Sequence, residues 1–152
     1  MNSAAKKARA ERLIGVISNR AFKALEEQRG EAEPIAMTMD SAGRIGIVAV
    51  YIGREFPKPD EALIGLQTEL RIMAARDKFI AAATASTIRV ALPDEPERIT
   101  ALCVQYEAID ELPLRIYFPY TLKAKLQGKS EIARHDPIVQ RGTPIIYPNS
   151  PE

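Results

Sequence analysis

Side chains able to do chemistry are sparse in this chain, and their spacing groups few of them. His135 is the sole histidine of 152 residues, so one chain cannot build a metal site of two or more imidazoles. As a general base it needs a carboxylate or substrate group within hydrogen-bond reach. Its neighbours Asp136 and Pro137 spell a turn. Cys103, the sole cysteine, stands in a β-rich run. A thiol there packs as a small apolar side chain, whereas a nucleophilic thiolate needs an electropositive, part-exposed setting.

The best polar constellation lies on a strand face. Cys103, Gln105 and Glu107 alternate along one side of a run, and a neighbouring strand can set Thr87 and Arg89 across from them. If that face lines a cleft, Glu107 with Arg89, Arg115, Tyr117 and His135 makes a small-molecule site. The plainer reading is a cross-strand ion pair on a solvated sheet face. A second charged group is Lys6, Lys7, Arg9 and Arg12 in the first helix. These are a candidate nucleic-acid contact, although no aromatic or glycine interleaving accompanies them, and a solvated helix face is the simpler account. No G-x-S-x-G, S-x-x-K, phosphate-loop or calcium-loop pattern occurs. Tyr106, Tyr117 and Tyr120 do not form a stacking platform. No catalytic residue, metal ligand or cofactor is therefore assigned.

The elements that must position these residues are clearer. Three β-rich runs between Lys78 and Tyr120, joined by Pro93-Asp94-Glu95-Pro96 and Asp110-Glu111, predict an antiparallel meander. The first, Phe79 to Leu92, carries a row of alanines that lets a helix approach closely. In the second, Leu102, Val104 and Tyr106 oppose Cys103, Gln105 and Glu107. The third ends at Pro119. Upstream, Leu13, Ile17, Ala21 and Leu25 recur at helical spacing and predict a helix over 4–29, capped by Ser3. Ile35–Met39 and 44–52 predict a hairpin around Asp40-Ser41-Ala42-Gly43, where Asp bonds the turn backbone and Gly takes positive φ. The second of those strands is apolar on both faces, which predicts a central position. Asp60 is the expected cap of a second helix bearing Leu63, Leu66, Leu70 and Met73 on its core face. Short edge segments follow at 130–132 and 138–139, and the run Ile145-Ile146-Tyr147 is too apolar to stay free. It must pair with a sheet edge or dock in a partner subunit.

The fold expected is α+β over one domain, 1–152, with 1–3 and 148–152 as loose ends. A five-stranded, mainly antiparallel sheet (hairpin plus three-stranded meander) carries two helices on one face, in the order α-β-β-α-β-β-β. With 46% hydrophobic residues the chain can bury a real core. Its net charge of +1 argues against a dedicated polyanion binder. No apolar run approaches the roughly 18 residues of a membrane span, and a lone cysteine suits a reducing cytoplasm. The function expected is a non-enzymatic interaction or regulatory module that self-associates as a homodimer. The alternatives are the polar cleft and the basic helix.

Overall fold

The computed structural model describes residues 2–28, 32–49, 58–91, 99–124 and 130–147. Helix α1 runs Ser3–Glu27. It starts one residue earlier than the sequence suggests, because the Asn2 carboxamide accepts from the Ala5 N–H at 2.8 Å and takes the capping role expected of Ser3. Leu13, Ile17, Phe22 and Leu25 are fully buried along one stripe. Strands β1 (Ile35–Met39) and β2 (Ile45–Val48) form the predicted hairpin. At its turn the Gly43 N–H donates to the Asp40 carbonyl at 2.9 Å, and Gly43 has φ of 83°.

The Asp40 carboxylate closes that turn by accepting from the N–H groups of Ala42 and Arg44 and from the Arg44 guanidinium, each at 2.9 Å. These bonds, led by the Arg44 N–H, hold its pKa below the usual carboxylate value. Protonation therefore occurs more readily in the unfolded chain. The contribution of Asp40 is complete above its unfolded pKa and is lost as pH falls through the folded one. Asp40→Asn should flatten this acid limb of a pH–stability profile, and an unchanged limb would remove Asp40 from it.

Helix α2 spans Pro59–Ala75. Its cap position is Lys58, with no side-chain bond. Pro59, whose fixed φ suits the first helical residue, starts the helix ahead of Asp60. Asp60 and Glu61 instead sit in the first turn, where the macrodipole favours them. Asp77, at φ 54°, ends the helix in the left-handed region, with the Lys78 N–H returning to the Met73 carbonyl at 3.1 Å.

The meander is β3 (Ala81–Val90), β4 (Ile99–Ala108) and β5 (Leu114–Ala124), all antiparallel. Two further strands, β6 (Ser130–Arg134) and β7 (Ile138–Arg141), return along β5. The class is thus the expected α+β, but the described residues form seven strands rather than five, in the order β2-β1-β3-β4-β5-β6 with β7 also on β5. Pro119 does not end β5. It forms the last pair with β4, opposite Ala101, and its carbonyl accepts from the His135 N–H at 2.9 Å. The missing donor falls where the strand changes partners. Tyr120 pairs with Arg134 but Tyr117 with Ile138, so three steps along β5 face four along the return run, a bulge around His135.

Two further expectations need correction. Among the described residues β2 is the last strand of the sheet on its side and leaves Ile47 55% exposed, so its two apolar faces do not mark a central strand. The outer part of the predicted strand, 50–52, lies outside the described residues. The helices, expected on one face, pack on opposite faces. Odd positions of β3 (Ala81, Ala83, Ala85) lie with Leu13, Ile17 and Phe22 of α1, whereas Ala82 and Ala36 lie with Leu66 and Leu70 of α2. Alanine occupies both faces of β3 here, so both can take a helix closely.

Candidate functional site

The residues singled out for a polar cleft do not all converge: register leaves Glu107, Arg115 and Tyr117 on one face of the sheet and puts Arg89 on the other. Arg89 pairs with Thr100 and lies on the α1 face, whereas Glu107 pairs with Ala82 on the α2 face. Strand register alone therefore separates this proposed ion pair. Arg115 stands beside Gln105 and Gln140, and Tyr117 between Cys103 and Ile138 in a small apolar cluster. His135 is exposed at the bulge, 3.5 Å from the Thr121 hydroxyl. Burial pushes the Cys103 thiol up, opposed by Arg115, which is the wrong direction for a nucleophile. Among the described residues no three His, Cys, Asp or Glu side chains are grouped to hold a metal ion.

Glu107 has a different role. It is 3% exposed, and its carboxylate accepts from three successive backbone N–H groups, those of Ile145, Ile146 and Tyr147, at 2.9 to 3.3 Å. Such a run of N–H groups is an anion-binding nest. It straps residues 142–147 across the α2 face and seats Ile146 among Leu66, Leu70 and Phe79. The Tyr147 hydroxyl donates to the Phe79 carbonyl at 3.3 Å, and its pKa is pushed up to about 12 by burial and by Glu107. The apolar run expected to seek a sheet edge or a partner subunit is thus docked within its own chain. Gly142 makes the approach feasible, since a Cβ there would sit 3.2 Å from the Leu114 carbonyl.

The four basic residues of α1 are also divided. Arg9 is buried and paired with Glu111. Arg12 donates to the Gly43 carbonyl at 2.8 Å and ties α1 to the β1–β2 turn. Lys7 lies 3.9 Å from Glu11, both well exposed. Lys6 has no carboxylate within ion-pair distance among the described residues.

What the fold does assemble is an open groove of about 630 Å³ on the α1 face. α1 covers β1, β3 and β4 and reaches β6, leaving the part of the sheet built by β5 and β7 beside it. The floor is Leu114, Ile116 and Phe118, alternate residues of β5, continued by Val139, which pairs with Ile116 and is 61% exposed. The wall is the flank of α1, where Ala10, Ile14, Gly15 and Ser18 follow one another. Lys6, Lys7, Glu11 and Glu111 stand toward its N-terminal end.

No family model, curated protein or solved structure matches the chain. Chemistry must therefore be argued from the groove itself. Gly15 was the missed signal. Mid-helix glycine costs roughly 1 kcal/mol relative to alanine, yet a Cβ at Gly15 would meet nothing within 4 Å. Internal packing does not require it. Among the described residues no helix is long and apolar enough to cross a membrane.

Proposed function

We propose that this chain is a non-enzymatic binding module whose working surface is the groove between α1 and strands β5 and β7. The observation that carries this reading is an apolar sheet floor, half-buried at Leu114 and Phe118 and 61% exposed at Val139, beside a helix flank where Ala10, Gly15 and Ser18 leave room. Its volume falls within the roughly 300–1,000 Å³ of small-molecule sites. Gly15 supports it: a position that gives up helix stability without a steric need inside the chain is accounted for by close approach from outside.

The test separates binding from folding. Gly15→Ala should stabilise the protein by about 1 kcal/mol, because the helix gains and no clash follows. Gly15→Leu should fill the groove with the fold intact. In thermal melts both variants should remain folded, while binding of the apolar fluorophore 1-anilinonaphthalene-8-sulfonate weakens in the first and disappears in the second. Undiminished dye binding by Gly15→Leu would remove the groove as the site. Self-association is read in the same samples: a second copy seated in the groove gives a mass by light scattering that falls on dilution and with Gly15→Leu.

A further inference from the structure

Resting on that reading of the groove, we infer that its occupant is a single-chain amphiphile with an anionic head, of the long-chain carboxylate class, lying with its head beside Lys6 and Lys7. The helix carries its charges against its own dipole. Its first turn holds no acidic residue and its last turn no basic one, and Lys6, Lys7 and Arg9 crowd the end where the N–H groups already point outward. Cations there are unfavourable to the helix. Arg9 is neutralised by Glu111, and Lys7 has only the long, exposed contact with Glu11. Lys6 is left without a counterion within ion-pair distance among the described residues.

The acids at this end are likewise engaged. Glu111 is held by Arg9, and Glu11 faces Lys7. A carboxylate head therefore meets net positive charge at the mouth of the groove. Beyond the lysines the lining turns apolar, from Ile14 and Leu114 through Ile116 to Phe118 and Val139. Charge at one end followed by a continuous apolar trough suits one alkyl chain with one head. A ligand charged at both ends would leave its second charge on hydrocarbon, which is costly without a partner.

The experiment compares cis-parinaric acid, a fluorescent long-chain carboxylate, with displacement of that probe by palmitic acid and by the uncharged alcohol of equal chain length. Saturable binding is expected, displaced by palmitic acid more strongly than by the alcohol. Lys6→Glu combined with Lys7→Glu should weaken carboxylate binding about tenfold, since two attractions become repulsions at the surface, and leave the alcohol's affinity unchanged. The Lys6→Gln, Lys7→Gln pair should show a smaller loss of the same kind, and it carries the test if charge reversal unfolds the chain. Equal affinity for acid and alcohol, or indifference to both lysine pairs, overturns the anionic head while the apolar groove stands. Binding that survives Gly15→Leu, or no binding of either amphiphile, overturns this inference at its root.

Discussion

Glu107→Ala should destabilise the protein by about 3 kcal/mol and free the segment 142–147 from the sheet. The carboxylate is the common acceptor for the N–H groups of Ile145, Ile146 and Tyr147. Without it those donors either stay buried and unpaired, at roughly 1–3 kcal/mol each, or leave for water. Leaving is the cheaper course, but it takes Ile146 out of its apolar seat, which forfeits roughly 1.5–3 kcal/mol of burial. Urea unfolding should report the loss, and amide exchange at 145–147 should rise far more than exchange in β3 or β4. Glu107→Gln keeps one oxygen for the three donors but turns an NH₂ toward the Ile146 N–H, which now reaches both carboxylate oxygens at 3.0 Å. Its cost should be nearer 1 kcal/mol.

The pH dependence of Glu107 runs opposite to that of Asp40. Burial raises its pKa, and the N–H groups of Ile146, Tyr147 and Ile145 only partly counter that. The folded protein therefore binds this proton more tightly than the unfolded chain does. Stability rises as pH falls from the folded pKa to the ordinary carboxyl value. Carboxyl NMR should give Glu107 a midpoint above that value, and Glu107→Gln should erase the corresponding slope. Unaltered exchange at 145–147 in Glu107→Ala would refute the strap as described.

Local rules made the sheet legible and pairing geometry hid the site. Alternation along β3, β4 and β5 fixes which residues share a face, and the Asp40–Gly43 turn follows from two residue types. What alternation cannot give is the register between strands. Arg89 and Glu107 are both odd-numbered and look like partners, yet the β3–β4 pairing joins Arg89 to Thr100 and Glu107 to Ala82. A one-residue difference in register inverts such a match. Helix placement failed for a related reason. A sheet with alanine on both faces of one strand accepts a helix on either, and nothing local assigns α2 to the side opposite α1. The strap was half legible: an apolar run that must dock was evident, but its anchor is a side chain 38 residues away. The groove was invisible because it is an omission of cover, set by where α1 stops short of β5.

Arg9→Ala should cost about 3–5 kcal/mol, the range for removing one member of a buried ion pair. The two side chains are 8% and 14% exposed, so water reaches each charge poorly when the other is lost. Burial works against the charge on Arg9, and Glu111 with Tyr106 more than offsets it, leaving the guanidinium pKa raised. Glu111→Ala should be comparably damaging, since it strands the guanidinium, whose Nε already lacks a hydrogen-bond partner among the described residues. The double variant Arg9→Met, Glu111→Leu should recover most of the loss, because apolar replacements of similar volume need no counterion. A double-mutant cycle by urea unfolding would measure the coupling, and additive single losses would show that the pair does not act as one. The pair also bears on the groove, because Glu111 stands in its lining. Arg9→Met alone leaves that carboxylate uncompensated near Lys6 and Lys7. It should weaken carboxylate binding even under conditions where the variant remains folded, whereas the double variant, lacking both charges, should bind like the original chain.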